Sequence, residues 1–319
     1  MPLPRTHLLL LWLAGCDALR VTVVGGSGFV GSRVCKILVG SGAEVTSISK
    51  SGQIPKWASG EEWTSKVKWA TVDLLRADDA AIDAAMGSPG SVISCVGTVD
   101  SDPEVLSLGN GLANENAFAS AQRTGVKRAV YVSVSSEVAA CEESWLPFAK
   151  EEFSAYFAGK AKAEVAAAAS VGNDATKLCI IKPTFIYGGE SFEVPLPGKF
   201  VAPRVSSDYG YFVEELLAFA PVQALADAAP GLIKVAFRPP VSVEAVATAC
   251  AFAALGELTS GQATRRAIGT LDGTVAIKAA AGEVPASGIR EGLDRALNEL
   301  GDLTQKLIDA IETKIDGKK

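Results

Sequence analysis

Four glycines fall within seven residues, Gly25, Gly26, Gly28 and Gly31, directly behind the run Val21–Val24. This stretch, RVTVVGGSGFVGSRV (20–34), restricts the fold more than any other part of the chain. A short β-branched run reads as a buried parallel strand, and beyond the glycines Val30, Val34, Ile37 and Leu38 recur at helical spacing. Strand, glycine turn and helix in that order leave room for a ligand to approach the main chain. They also set a helix N-terminus under the turn, where free N–H groups and the helix dipole attract a diphosphate. The glycines fit both G-x-x-G-x-x-G and G-x-G-x-x-G, spacings that a tight turn in any α/β protein can produce. The rest of the chain has to decide.

Strand-like runs at 43–49, 67–73, 91–97, 128–136 and 177–189 alternate with helical stretches at 78–86, 104–124 and 151–170. That alternation predicts an α/β fold with a doubly wound parallel sheet, its ligand at the carboxyl ends of the strands. Residues 20–189 form the expected Rossmann dinucleotide-binding domain. Residues 190–281 form a substrate or partner region completing it: a proline- and glycine-containing loop, a strand and helix over 240–255, and a last small element at 271–281. Residues 282–319 read as a linker and an amphipathic tail helix, with Leu293, Leu297, Leu300, Leu303, Leu307, Ile311 and Ile315 on one stripe. The tail can dock on its own domain, pair with a second copy or partner, or lie on a membrane surface.

The chain has 319 residues and a formal net charge of −6, which points away from a nucleic-acid partner. Its single histidine, His7, makes histidine catalysis and histidine metal sites unexpected, so no metal is expected. Residues 1–19 carry Arg5, the apolar run Leu8–Ala14 and small residues around Gly15 and Cys16. They are too short to span a bilayer and read as a cleavable targeting segment. A lipoprotein box at LAGC and a buried apolar extension are the alternatives. Removing that segment leaves Cys35, Cys95, Cys141, Cys179 and Cys250, an odd set that suits a reducing compartment. A leader with free thiols points to an organelle.

Three further groups carry chemistry. In YFAGK, Tyr156 and Lys160 stand four apart and share one helix face. A nearby ammonium lowers a phenol's pKa, so Tyr156 could hand a proton to a carbonyl oxygen receiving hydride. Ser133, Ser135 and Ser136 follow valines at a strand's carboxyl end, where a hydroxyl can hold a substrate oxygen or simply bond nearby backbone. At the end of the second strand stand Ser49, Lys50 and Ser51 in place of an acid. A cation there suits a ribose 2′-phosphate, so NADP(H) is preferred and NAD(H) possible.

Taken together, from Arg20 to Ala281 the chain resembles the short-chain dehydrogenase/reductase superfamily in its extended, atypical branch. The resemblance rests on the glycine turn, Asp73, SCVG (94–97), GVKRAVYVS, YFAGKAKAE and IKPTFIYG. It implies cofactor contacts from Gly25, Gly28, Phe29, Val30 and Gly31 around the diphosphate and from Ser49 and Lys50 at the ribose. Asp73 and Leu74 would stand at the adenine, Val96, Gly97 and Ser133 along the cofactor, and Pro183 and Thr184 beside the nicotinamide. Tyr156 and Lys160 would be catalytic, with Lys160 also holding the ribose and Ser135 taking the serine position. NGLANENAFASAQRTGVKRAVYVSV, KPTFIYG and EVPLPG are similar to a subgroup that includes an accessory subunit of respiratory complex I, a coenzyme Q biosynthesis accessory protein and plastid relatives. Lys182 stands where that subgroup has an arginine. The resemblance implies either reduction of a carbonyl or quinone-like group of a small hydrophobic substrate, or a non-catalytic, NADPH-bound subunit or assembly factor of a membrane redox complex. Peripheral membrane association through the tail helix and a plastid or mitochondrial location belong to the same expectation.

Overall fold

The computed structural model describes residues 19–140, 150–189, 195–196, 200–201, 207–229, 231–256, 258–260, 263–265 and 269–283. The chain runs β1 (Arg20–Val24), α1 (Phe29–Gly40), β2 (Glu44–Ser49), β3 (Val67–Thr71), α2 (Asp79–Met86) and β4 (Ser91–Ser94). It continues through α3 (Pro103–Ser107), a π-helical turn (Leu108–Leu112), α4 (Ala113–Arg123), β5 (Arg128–Val132), α5 (Ser136–Ala139), α6 (Lys150–Ser170) and β6 (Leu178–Lys182). Next come β7 (Ile186–Tyr187), β8 (Pro195–Leu196), β9 (Phe200–Val201), α7 (Ser207–Ala218), α8 (Ala220–Ala228) and α9 (Gly231–Ala236). The last elements are β10 (Val241–Ser242), α10 (Val243–Leu255), β11 (Leu258–Ser260), β12 (Ala263–Arg265), β13 (Gly269–Asp272) and α11 (Gly273–Ala281). The leader, Cys141, most of the 190–206 loop and the tail stripe lie outside the described residues.

Seven parallel strands form one sheet in the order β13-β6-β5-β4-β1-β2-β3. Val21 pairs with Val45 on one side and Ser91 on the other, so β1 lies inside the sheet, next to its central strand β4. The chain builds outward from β1 in both directions, which opens a crevice between the carboxyl ends of β1 and β4. Helices α1, α10 and α11 cover one face through Val34, Leu38, Ala249 and Ile277. Helices α2, α4 and α6 cover the other through Ile82, Phe118, Ala163 and Ala167. Alanine dominates α10, which is buried on most of its circumference and packs along α1.

Three stretches differ from the sequence expectation. The run 177–189 breaks at Pro183, which has no N–H for the ladder, so β7 leaves the sheet and pairs with β10. The small element at 271–281 is the seventh strand of the main sheet followed by α11. The helix over 104–124 is interrupted by the π-helical turn. A Cβ on Gly109 would lie 2.1 Å from Thr98 Oγ1, and one on Gly159 3.0 Å from Asn110 Cβ. Close approach of α6 and of the loop after β4 thus shapes this helix.

Gly31 holds α1 against the turn: a Cβ there would lie 2.3 Å from the Gly25 carbonyl oxygen. Backbone cannot swing aside as a side chain can. Gly31→Ala is therefore expected to destabilise the protein by about 1–3 kcal/mol, the scale of overpacking. Thermal unfolding should show a drop of several degrees, and an unchanged Tm would refute the close contact.

Candidate functional site

The carboxyl ends of β1 to β4 open into a groove of about 850 Å³, within the size range of small-molecule sites. Gly25 and Gly28 line it from the turn, Ser49 and Lys50 from the end of β2, and Asp73 and Leu74 from beyond β3. Val96 and Gly97 line it beyond β4. Gly25 needs to be glycine twice over. Its φ is +82°, and a Cβ would sit 3.2 Å from the backbone of Cys95 and Val96. Its N–H donates to the Ile48 carbonyl at 2.7 Å, fixing the turn to β2.

Gly28 differs. It is the N-cap of α1 in ordinary extended geometry, and it supplies no side-chain cap. A Cβ would meet only the Gly25 carbonyl oxygen, at 3.1 Å, and would otherwise enter the groove. First-turn N–H groups of a helix have no partner within the helix, so the groove offers uncapped donors to an anion. The other residues of the turn stand elsewhere. Phe29 lines an adjoining cleft of about 340 Å³ with Arg33, Lys56 and Trp57. Val30 packs against the core, and Gly31 lies inside the α1 contact.

At the far end Lys50 Nζ lies 3.3 Å from Asp73 Oδ2, with the lysine side chain mostly exposed. The Leu75 N–H donates to Asp73 Oδ1 at 3.1 Å. That backbone donor, aided by Lys50 and Arg76, holds the Asp73 carboxyl below the usual carboxylate range. Ser49 Oγ and Ser27 Oγ share a 2.8 Å hydrogen bond that ties the turn to the end of β2.

Tyr156, Lys160 and Glu164 stand four apart along α6. Lys160 is 5% exposed, and its Nζ donates to Val132 O at 3.2 Å and Val96 O at 3.4 Å. The ammonium thus bridges the tips of β4 and β5, 5.2 Å from the Tyr131 ring and 5.8 Å from that of Tyr156. Burial lowers the Lys160 pKa to about 8, with Cys95 and Glu164 opposing it. Burial also pushes Tyr156 up to about 12. The expected lowering of Tyr156 by its lysine is therefore corrected: the ammonium is directed at carbonyls, and desolvation of the phenol dominates. Tyr156 packs on Phe157, ring centroids 5.4 Å apart, beside Val138 and Val235 and outside the groove lining.

Ser133 and Ser135 part company. Ser133 Oγ donates to Glu164 Oε1 at 2.5 Å, and Lys182 Nζ holds the other carboxylate oxygen at 3.0 Å. This turns Ser133 toward α6. Ser135 Oγ caps α5 by accepting from the Glu137 N–H at 3.3 Å. It lines a second pocket, of about 350 Å³, with Thr184, Arg238, Asp272 and Thr274 at the ends of β6 and β13. Thr184 Oγ1 donates to Pro239 O at 2.8 Å, while Pro183 is buried and accepts from the Ser135 N–H at 2.8 Å.

Two asparagines were missed in the sequence. Asn110 Nδ2 donates to Thr98 O at 2.8 Å, and its Oδ1 accepts from Thr98 N at 3.1 Å. Asn114 Oδ1 accepts from Ser94 Oγ at 2.6 Å, and its Nδ2 reaches Val96 O at 3.4 Å. Both are fully buried and clamp the loop that floors the groove after β4. Their signal was visible: two asparagines four apart on one face of a helix otherwise rich in alanine. Arg238, which grips Glu137 with two bonds of 2.6 and 2.7 Å beside the second pocket, had no such signal.

A family model described as "NAD dependent epimerase/dehydratase family" matches residues 21–206, more than half of the chain. The chain belongs to this family. The sheet order and the crevice at β1/β4 are the Rossmann-like arrangement of this epimerase/dehydratase group. A UDP-Glc/GlcNAc 4-epimerase from Campylobacter jejuni superposes with a TM-score of 0.51 at 14% identity, covering 73% of each chain. A UDP-glucuronic acid 4-epimerase from Bacillus cereus, solved in complex with NAD, gives 0.50 at 15% identity, covering 80% of this chain and 78% of that one. These likenesses concern the fold. An uncharacterized chloroplastic protein of Arabidopsis thaliana is 33% identical over 182 residues, 56% of this chain and 55% of that protein. MIOREX complex component 2 of Saccharomyces cerevisiae is 36% identical over 61 residues, 18% of this chain and 22% of that protein. The chain thus spans about half the length of the first of these curated relatives and about a fifth of the second. Among the described residues, no cluster of histidine, cysteine or carboxylate side chains is arranged to hold a metal ion.

Proposed function

We propose that this epimerase/dehydratase-family protein binds NADP(H) and reduces a carbonyl or quinone-like group on a small hydrophobic substrate inside an organelle. The observation that carries the reading is the groove at β1/β4, with uncapped α1 donors at Gly28 on one wall and, on the other, Val96 and Gly97 in the loop that Lys160 holds through the Val96 carbonyl. The groove fits a dinucleotide because Gly28 leaves open the space that a Cβ would take, beside a helix N-terminus suited to a diphosphate. NADPH bound there would supply the hydride. Lys50 would meet the ribose 2′-phosphate, and Lys160 would orient the sugar nearest the strand tips. Tyr156 keeps its proton through neutral pH and is the donor to the substrate oxygen, while Ser135 would face the substrate from the second pocket. The chloroplastic relative supports a plastid location, with a mitochondrion as the alternative.

A second reading, a non-catalytic NADPH-bound component of a membrane redox complex, draws on two observations. Tyr156 stands outside the groove lining, and Ser133 is spent on Glu164. There the tail stripe from Leu293 to Ile315 would serve as contact surface to a partner or membrane. Adding aldehydes and quinones to the NADPH-loaded protein tests both readings: oxidation at 340 nm supports the enzyme, and none with any acceptor supports the component.

Lys50 decides cofactor choice in either case. Its exposed ammonium can leave Asp73 for a phosphate, a charge-assisted contact of roughly 1.5–3 kcal/mol. NADPH should therefore bind about tenfold to a hundredfold more tightly than NADH, and Lys50→Glu should erase or reverse the preference. Calorimetry with both nucleotides checks this, and equal affinities in the unaltered protein would sink it.

A further inference from the structure

The second pocket, at the ends of β6 and β13, presents one donor and one acceptor that the fold itself leaves over. Ser135 lines it and is only 2% exposed. Its Oγ accepts from the Glu137 N–H, while its own proton has no acceptor among the described residues. A hydroxyl both donates and accepts, so a buried donor is free there. Asp272, directly before α11, lines the same pocket. Its carboxylate does not cap α11, and both oxygens share the single Ser136 N–H, at 3.2 and 3.4 Å. Lys182, its neighbour across the β6 ladder, is bound to Glu164 at 3.0 Å instead. Asp272 thus has no cation within ion-pair distance among the described residues, and most of its lone pairs are open.

The other polar groups of the wall are matched. Thr184 and Thr274 turn their hydroxyls to the Pro239 carbonyl. Arg238 is held by Glu137, Gln223 and Asp227. The rest is apolar. Val275 lines the pocket and is largely exposed, and the exposed Phe185 and Phe237 adjoin Thr184 and Arg238 in the chain.

We propose that this pocket binds an apolar molecule carrying a carbonyl with a hydroxyl on the neighbouring carbon, and that Asp272 selects the hydroxyl. The inference rests on the reductase reading, in which Ser135 faces the substrate. The Ser135 O–H donates to the carbonyl oxygen, and the ligand hydroxyl donates to Asp272. The N–H that Asp272 holds belongs to Ser136, the residue after Ser135, so the free donor and the free acceptor stand one peptide apart. That spacing suits two oxygens on adjacent carbons. An anionic head group is disfavoured, because it would meet the Asp272 charge with no unpaired cation to offset it. At about 350 Å³ the pocket is at the small end of ligand sites, which suits a compact molecule whose apolar part lies against Val275.

Benzoin and deoxybenzoin are matched probes: both are uncharged ketones with the same two phenyl rings, and only benzoin has the adjacent hydroxyl. Titration calorimetry of the full chain is expected to show benzoin binding about tenfold more tightly, the lower end for a hydrogen bond to a charged group, since Asp272 is exposed to water. Asp272→Ala should bring benzoin down to the affinity of deoxybenzoin and leave deoxybenzoin unchanged. Asp272→Asn keeps an acceptor for the Ser136 N–H, so it serves if the alanine variant does not fold, and it should narrow the preference by removing the charge. Val275→Ser, on an exposed face of α11, should weaken both probes by the same factor. Equal binding of the two probes, or a preference that survives in Asp272→Ala, overturns selection by Asp272. Binding of neither probe overturns the pocket as a ligand site. An Asp272-dependent preference in a protein that does not bind NADP+ supports the pocket while defeating the reductase reading. NADPH oxidation by both ketones at equal rates, unaffected by Asp272→Ala, upholds the reductase reading and overturns this inference.

Discussion

Gly28→Val is expected to remove measurable NADP(H) binding while leaving the protein folded. The two halves of that result come from the same geometry. Gly28 has φ −82° and ψ −179°, a conformation that valine adopts readily, and a Cβ there meets only one backbone oxygen at 3.1 Å. The fold therefore has little reason to fail. The valine methyls, however, enter the space beside the uncapped first turn of α1, where a diphosphate has to come within hydrogen-bonding distance of the main chain. Loss of that approach should cost at least about a hundredfold in affinity, roughly 2.7 kcal/mol. Gly31→Ala makes the natural contrast, because its Cβ strikes backbone behind the groove and should lower the Tm. Titration calorimetry beside thermal unfolding separates the two variants. Unchanged affinity in folded Gly28→Val would remove the phosphate-loop assignment and leave the turn a merely structural one.

What was legible in the sequence follows from where each residue finds its partners. The strands β1, β4 and β5 are buried on both faces, and such strands read as continuous apolar runs. The edge strand β13 is the opposite case. Its four residues, GTLD, alternate between half-buried and exposed, and a glycine begins them, so nothing marked it as part of the sheet. The break at Pro183 could be read from the missing N–H, but the pairing of β7 with β10 spans 55 residues and could not. Helical spacing placed Tyr156 and Lys160 on one face without showing where the ammonium points. Its acceptors, Val96 O and Val132 O, come from two other strands. Likewise the fate of Ser133 was fixed by Glu164, 31 residues onward, and that of Glu164 by Lys182. A single line of sequence shows a side chain's type and face, whereas its partner across the fold determines what it does.

The same distinction governs the expected behaviour of Tyr156. If the protein is an enzyme, Tyr156→Phe should lower turnover by about a hundredfold or more, the usual scale for a positioned acid. NADPH affinity should change little, because the ring keeps its packing on Phe157 and the lost hydroxyl stands outside the groove lining. Lys160→Ala should harm binding and turnover together, since its ammonium lies between the strand tips that floor the groove. The pH profile adds an independent reading. Burial holds Tyr156 near a pKa of about 12, so its proton is in place across the neutral range and its titration should not shape the profile there. Lys160, lowered to about 8, is charged below that pH and neutral above it. Turnover that depends on the ammonium should therefore fall as pH rises through about 8. Steady-state rates of the unaltered protein and Tyr156→Phe from about pH 6 to 10, a range that brackets that titration, provide the check. Normal turnover by Tyr156→Phe would mean that the proton comes from another group. A rate that keeps rising past pH 8 would mean that the charge on Lys160 is not required.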